Sequence, residues 1–179
     1  MAEKVVLLNG SPSAYTRLNG IRDYIRAGLR GHGYEPELIN IRELPAGDLM
    51  NARQSPPITR ALRKVEEGDT VIILTPVYKA SYSGLLKTFL DLLPQNGLSG
   101  KQVLPLAMGG TFGHLLALDY ALKPVLASLG TTCIEKGVFI LDQQVKKRDG
   151  LYELDRQAAG RLNAALKTAF PQISIPLYS

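Results

Sequence analysis

The feature that most constrains this chain is its alternation of short, continuous apolar runs with longer stretches that carry apolar residues on one face. The short runs are typical of strands buried on both faces, and the longer stretches of helices that cover a sheet. Strands separated by helices indicate a parallel α/β sheet, and five of them suit the doubly wound order 2-1-3-4-5. We predict strands over residues 4–9, 38–41, 70–75, 103–108 and about 132–141. We predict helices within residues 18–29, 59–67, 82–93, 115–129 and 154–166.

Length and composition are those of a globular protein. The 179 residues suit a single domain over 1–179, with 45% hydrophobic residues and an ordinary 21% charged. No run approaches the length of a transmembrane helix, and the apolar start at 5–8 is too short for a signal peptide. The single Cys133 cannot form an internal disulfide, which fits a reducing cytosol. We therefore expect a cytoplasmic protein that does not enter a membrane.

The net charge of +5 leaves two interpretations open, a solvated basic surface or attraction of phosphorylated cofactors. Nucleic acid is not an expected partner, because the basic residues are scattered. Their one local run, at 146–148, precedes Asp149-Gly150 and is predicted to be a loop. No Cys, His, Asp and Glu cluster has metal-ligand spacing, so we expect no metal site.

Ligands of an open parallel sheet bind beyond the carboxyl ends of its strands, and the first such end is rich in hydroxyl groups. Gly10 permits a sharp turn, and helix N–H groups follow it. A phosphate there would meet unpaired donors and the positive end of the helix dipole. The candidate phosphate-binding residues are Ser11, Ser13, Thr16 and Arg17. The alternative is an ordinary strand-to-helix turn with a Ser or Thr cap.

The third strand ends in a segment suited to a flat aromatic ligand. Pro76 should close the strand, because proline cannot donate to a central ladder. The candidate residues that contact the ring are Pro76, Val77, Tyr78 and Lys79. The alternative is a strand stopped by proline and followed directly by a helix.

Two consecutive glycines end the fourth strand. The absence of side chains would let a ring rest against the backbone, and N–H groups at a helix start would stabilise negative charge on such a ring. Gly109, Gly110 and Thr111 are therefore candidate binding residues. The alternative is a flexible turn.

Pro124 lies inside the apolar pattern of the helix predicted over 115–129. Proline has no N–H, so the carbonyl of Tyr120 loses its helical donor. The helix must kink, bulge or restart at this point. One alternative is that Pro124 simply begins a second helix.

These loops together resemble the NAD(P)H-dependent FMN reductases of flavodoxin-like fold, over nearly the whole chain. The resemblance rests on Gly-Ser-Pro at 10–12, on Thr-Pro-Val-Tyr at 75–78 running into Ser-Gly-Leu-Leu-Lys-Thr-Phe-Leu-Asp at 83–91, and on Gly-Gly-Thr at 109–111. The chain has Lys79 and Ser83 where the family pattern has Asn and Pro, and Ser13 where the family often has arginine. Residues 76–87 and 118–126 are most similar to the branch that supplies reduced FMN to sulfonate monooxygenases.

The resemblance implies a flavodoxin-like three-layer sandwich that binds FMN and takes a hydride from NADPH, with NADH as a possible donor. It implies a homodimer or homotetramer, and a flavin-dependent monooxygenase as a possible partner. In the resembled branch, the tyrosine matching Tyr120 lies in a π-type bulge at a subunit interface near the flavin, and we predict the same here. The tail over 171–179 would pack loosely or reach a neighbouring subunit. Hydride transfer needs little from side chains, so we assign no catalytic acid or base.

Three other functions compete with this one. Flavodoxin electron carriers are typically acidic, whereas this chain is basic. A reductase of quinones, azo compounds or metal oxyanions would keep its FMN tightly bound. A phospho-receiver domain needs acidic residues after strand 1 and at the end of strand 3, where this chain has Asn9-Gly10 and Thr75-Pro76.

Overall fold

A parallel β-sheet forms the centre of the protein, which we describe from a computed structural model over residues 3–173. The parallel strands are β1 (Val5–Asn9), β2 (Glu37–Asn40), β3 (Thr70–Tyr78), β5 (Gln102–Gly109), β6 (Cys133–Ile134) and β7 (Val138–Leu141). The sheet order is β2-β1-β3-β5, and the two short strands β6 and β7 both pair with β5 on its far side. The predicted order is thus confirmed, with its fifth strand in two pieces. Two antiparallel additions are β4 (Ser81–Tyr82), which pairs with β3, and the separate hairpin of β8 (Val145–Arg148) and β9 (Leu151–Leu154).

Helices cover both faces of this sheet, which gives the predicted three layers. Successive residues of β1 enter opposite layers: Val6 and Leu8 belong to one core, Val5 and Leu7 to the other. All four side chains are at most 2% exposed, and burial of each stabilises the fold by about 1.5–3 kcal/mol. The helices are α1 (Leu18–Arg30), α2 (Ala46–Met50), α3 (Pro56–Glu67), α4 (Gly84–Leu90), α5 (Lys123–Ser128) and α6 (Arg156–Ala169). None of these helices combines the length and apolar character that crossing a bilayer requires.

The prediction that Pro76 closes the third strand is wrong, because β3 continues to Tyr78. The carbonyl of Leu74 accepts the Gly10 N–H on the β1 side, at 2.8 Å. Backbone groups alternate sides along a strand, so Pro76 faces that same side two residues later. β1 has already ended at Asn9, and no ladder bond is lost there.

The helix predicted from Tyr82 to Leu93 is shorter than expected. Tyr82 lies in β4, and α4 starts only after Ser83, whose hydroxyl caps it by accepting the Leu86 N–H at 3.1 Å. A two-residue turn joins β3 to β4 and is absent from our prediction, because it contains none of the usual Gly or Asn signals.

The region after β5 holds two further corrections. The predicted strand over 132–141 is interrupted between Ile134 and Val138. The predicted loop at 146–150 is a hairpin, with Asp149 and Gly150 at φ of 49° and 85° in its tight turn. Leu154 consequently ends β9, and α6 begins after the cap Asp155 instead.

The expected bulge near Pro124 is present as a π-helical segment over Leu118–Leu122. The Lys123 N–H donates to the Leu118 carbonyl, five residues back, and α5 continues from there. Regular α-helical geometry through this region is thus excluded, as Pro124 predicts. Of the tail predicted to pack loosely or reach a neighbouring subunit, residues 174–179 lie outside the described residues, while Ile173 is buried.

Candidate functional site

A cleft of about 500 Å³ lies beyond the carboxyl ends of β3, β5 and β7, where an open parallel sheet binds its ligands. Its volume falls within the range of small-molecule sites. We call it the carboxyl-end cleft. It is lined by Ser13, Tyr15, Thr16, Arg17, Pro76, Val77, Tyr78, Met108, Gly109, Gly110, Asp142, Lys147 and Tyr152.

The structure brings eight of the twelve predicted binding residues together in this cleft. They come from all three predicted loops: Ser13, Thr16, Arg17, Pro76, Val77, Tyr78, Gly109 and Gly110. Four others do not line it. Ser11 is buried inside its loop, Lys79 lies in the β3–β4 turn, Thr111 caps the following turn, and Tyr120 is 78% exposed on the π-helical segment.

The first loop is held by its own hydroxyl groups. Ser11 Oγ accepts the Ser13 N–H at 3.3 Å, and Thr16 Oγ1 accepts the Leu18 N–H at 3.2 Å. Within residues 3–173, the backbone N–H groups of 14–17 have no acceptor, and they precede α1 directly. These donors, the helix dipole and the exposed Arg17 fit an anionic group such as a phosphate.

Ser83 joins the first two loops. Its hydroxyl donates to the Gly10 carbonyl at 2.6 Å, and its N–H donates to Thr75 Oγ1 at 3.0 Å. Ser83 and Thr75 are each at most 1% exposed. Gly10 is required for this close approach, because a Cβ there would lie 2.8 Å from the Cβ of Leu86. The buried network therefore fixes the first loop against the end of β3 and the start of α4.

The opposite wall of the cleft is formed by backbone and small apolar groups. A Cβ on Gly109 would lie 3.1 Å from Phe139 Cζ and 3.3 Å from Val77 Cβ, so this glycine lets β5 pack closely between its neighbours. Its small size therefore serves strand packing as well as the predicted ring contact. Gly110 has open space, and its nearest neighbour would be Asp142 Oδ2 at 3.7 Å. Because the two glycines carry no side chains, this wall leaves space for a planar ring.

The β3–β4 turn bends the chain sharply at the edge of the cleft. Lys79 and Ala80 have φ of 49° and 61°, in the left-handed region that favours glycine. The adjacent Tyr78 is 51% exposed and lines the cleft. Tyr82, across the turn, is half-buried, and burial raises the pKa of its phenol, which stays neutral at physiological pH.

Five lining residues were not predicted. Met108 precedes the glycine pair, and Tyr15 lies within the first loop, so sequence position alone was a usable signal for both. Asp142, Lys147 and Tyr152 come from the chain after β7. Asp149-Gly150 between two short runs is the signal that identifies their hairpin.

Comparison with models of known protein families shows which family this chain matches. Residues 3–146 match the model of the NADPH-dependent FMN reductases. The chain belongs to that family. It is accordingly an NAD(P)H:FMN oxidoreductase, a flavoprotein enzyme that uses FMN with NADPH or NADH.

Similar proteins support this assignment over most of the chain. The FMN reductase (NADPH) of Escherichia coli K12 is 44% identical over 166 residues, covering 92% of this chain and 87% of that protein. The NADH-dependent FMN reductase SfnE of Pseudomonas putida is 33% identical and covers 93% and 90%. Among solved structures, the apo form of the NADH:FMN oxidoreductase EmoB superposes with a TM-score of 0.86 at 33% identity, covering 98% and 92%.

Proposed function

We propose that FMN binds in the carboxyl-end cleft with its ring between the ends of β3 and β5 and its phosphate at the start of α1. The main observation behind this proposal is that three predicted loops converge on one cleft, which has backbone N–H donors at one side and the Gly109–Gly110 backbone at the other. The FMN supplies the hydride-accepting ring when bound, and NADPH supplies the hydride. The residues of this chain bind and orient the two ligands.

Each part of the cleft has its own task in this proposal. Ser13, Thr16 and Arg17 bind the phosphate through charge-assisted hydrogen bonds. Pro76, Val77 and Gly109–Gly110 contact the ring, with the Gly110 N–H available to negative charge. The exposed Tyr78 covers one edge, and the open side admits the nicotinamide close to the ring. Ser11, Lys79 and Thr111 do not line the cleft, and they contribute through the loops that they shape.

We further propose that the reduced FMN leaves the enzyme and serves a flavin-dependent monooxygenase in sulfonate-sulfur assimilation, within the cytoplasm. The support is the resemblance of residues 76–87 and 118–126 to the sulfonate branch, together with the 33% identity to the reductase SfnE. NADPH is the preferred donor in this proposal, since the relative of 44% identity is named for NADPH.

An apolar patch beside the cleft supports self-association as a dimer or tetramer. Phe112, Leu115, Leu116 and Tyr120 are between 41% and 78% exposed on the turn and helix after Gly110. Large apolar groups exposed together are typical of interaction sites. Tyr120 would then contact the second subunit at the π-helical segment. Sedimentation velocity should give a dimer or tetramer, with Tyr120→Glu shifting it towards the monomer.

Anaerobic stopped-flow mixing with NADPH and with NADH, each with and without added FMN, tests the enzymatic proposal. We expect rapid loss of NADPH absorbance that depends on added FMN, followed by release of the reduced flavin on gel filtration. Retention of the flavin would instead favour a quinone, azo or metal-oxyanion reductase. A stable one-electron flavin without NAD(P)H turnover would favour an electron carrier, and no NAD(P)H oxidation would refute the proposal.

A further inference from the structure

The β8–β9 hairpin has two different faces. Val145 pairs with Leu154 and Lys147 with Tyr152, so these four residues share one face, and Val145 is only 1% exposed. The opposite face carries Lys146, which pairs with Glu153, and both are exposed. Lys147 is therefore the one lysine of the 146–148 run that lies on the face directed towards the protein.

That face packs on the first turn of α1. A Cβ on Gly20 would lie 2.6 Å from Tyr152 Cβ and 3.1 Å from Val145 Cγ1, so the hairpin contacts the helix backbone without a side chain between them. Gly20 follows Arg17 by three residues, one turn of helix. The hairpin is thus held beside the same helix start that offers free N–H groups to the cleft.

Lys147 brings a positive charge to this position. It lines the carboxyl-end cleft together with Ser13, Thr16 and Arg17, and its Nζ lies 5.9 Å from the centre of the Tyr152 ring. Among the ion pairs formed within residues 3–173, neither Lys147 nor Arg17 takes part. Asp142 is the single carboxylate among the described lining residues, and it lies beside Gly110 on the ring side. The end of the cleft at α1 is therefore the positive one.

We propose that Lys147 recognises the phosphomonoester of a ligand bound in this cleft, as a second cation beside Arg17. This proposal rests on the proposed function and adds a binding residue to it. The family model ends at residue 146, so Lys147 lies beyond the part of the chain that the family pattern describes. Two ligands of the enzyme carry such a group, FMN at its terminus and NADPH on its ribose.

Ligand pairs that differ by this one phosphate test the proposal. Dissociation constants would be measured by fluorescence titration for FMN and riboflavin, and Michaelis constants for NADPH and NADH. We expect Lys147→Ala to weaken FMN binding about tenfold and riboflavin binding less than about twofold, or to raise KM for NADPH about tenfold and leave NADH unchanged. The first pattern assigns Lys147 to the flavin phosphate, and the second assigns it to the nicotinamide cofactor.

Two further variants separate charge from structure. Lys146→Ala removes the neighbouring lysine from the opposite hairpin face and should leave all four constants unchanged. Lys147→Arg keeps the charge and should bind within about threefold of wild type. Unchanged phosphate selectivity in Lys147→Ala, or equal loss for riboflavin and FMN, would overturn the proposal. Wild-type protein that binds neither FMN nor NADPH would instead refute the proposed function on which it rests.

Discussion

The two ends of the parallel sheet each carry a depression, and the larger one is not the expected site. The amino-end cavity, lined by residues including Glu3, Lys4, Tyr34, Glu37 and Lys64, has a volume of about 750 Å³, against about 500 Å³ for the carboxyl-end cleft. Size alone would thus select the end of the sheet opposite to the proposed FMN site.

The two ends of the sheet differ in whether their charged side chains form ion pairs. At the amino end the charges neutralise one another, with Lys4–Glu67 at 3.1 Å and Lys64–Glu37 at 2.7 Å. At the carboxyl end, the described ion pairs include neither Arg17 nor Lys147, and the helix start beside them is positive. Positive charge outside the described ion pairs, beside exposed backbone donors, is therefore a better guide to an anionic ligand than cavity size.

The strongest effect is expected for Gly10→Ala, which adds one methyl group at the carboxyl end of the sheet. In Gly10→Ala the new Cβ would lie 2.8 Å from Leu86 Cβ, and we expect a loss of about 2–3 kcal/mol in unfolding free energy. Because the first loop must move, FMN affinity should fall at least about tenfold. Urea unfolding and fluorescence titration measure the two effects.

Gly33→Ala is the matched control at the amino-end cavity. Gly33 has φ of +83°, and among the described residues no atom would lie within 4 Å of an added Cβ, so the cost is backbone strain of about 1 kcal/mol. FMN affinity should not change. Equal loss of FMN affinity in both variants would contradict the functional difference between the two ends.

Removal of one buried hydroxyl at each end gives the next largest effect. Ser83→Ala loses the cap of α4 and the bond to the Gly10 carbonyl, which should cost about 2 kcal/mol of unfolding free energy and several-fold in FMN affinity. Thr131→Val removes the hydroxyl that donates to the Lys101 carbonyl at 2.7 Å, near the amino end of β5. It should cost about 1 kcal/mol and leave FMN affinity unchanged, and weaker FMN binding in Thr131→Val would argue against the assignment.

A smaller effect, of opposite sign, is expected at the β3–β4 turn. Ala80→Gly replaces a residue at φ of 61° with one that adopts this conformation freely, and the unfolding free energy should rise by about 0.5 kcal/mol. Chemical denaturation measures this gain. A lower stability would mean that the turn is not strained in solution.

The smallest effect is expected on the pH dependence of stability, through an ion pair at the amino end of the sheet. Hydrogen bonds from Lys4 and then Arg63 lower the pKa of Glu67 from its ordinary value of 4.5. A lowered pKa in the folded state stabilises the protein above the ordinary pKa, and this stability is lost as the pH falls through the folded pKa. Glu67→Gln should therefore reduce the loss of thermal stability on acidification, with NADPH oxidation unaffected. An unchanged acid dependence of the melting temperature would contradict the pairing.

The sequence was most informative where local chemistry decides structure. Continuous apolar runs such as 71–74 predict buried strands because both faces of a parallel sheet are covered. Pro124 predicts an interruption of the regular helix, because proline lacks the N–H that the Tyr120 carbonyl would accept. The family resemblance narrowed this interruption to the π-type bulge that is found at Leu118–Leu122. The three loops were identified from local sequence, since they follow directly from the ends of predicted strands.

The features that were not predicted depend mostly on contacts between segments that are distant in sequence. Pro76 stays in β3 because β1 has already ended beside it. The residues around Pro76 in the sequence do not reveal where the neighbouring strand ends. Lys147 and Tyr152 enter the cleft because a hairpin far from Gly20 in sequence packs on that glycine. Lys79 and Ala80 turn the chain without glycine, so their residue types conceal the turn.

A crystal structure of the protein with FMN would show whether the flavin occupies the carboxyl-end cleft. We expect the isoalloxazine ring to lie against Val77 and the Gly109–Gly110 backbone, with phosphate oxygens about 3 Å from N–H groups at the start of α1. Flavin density in the amino-end cavity, or a phosphate directed away from α1 and Arg17, would contradict this expectation.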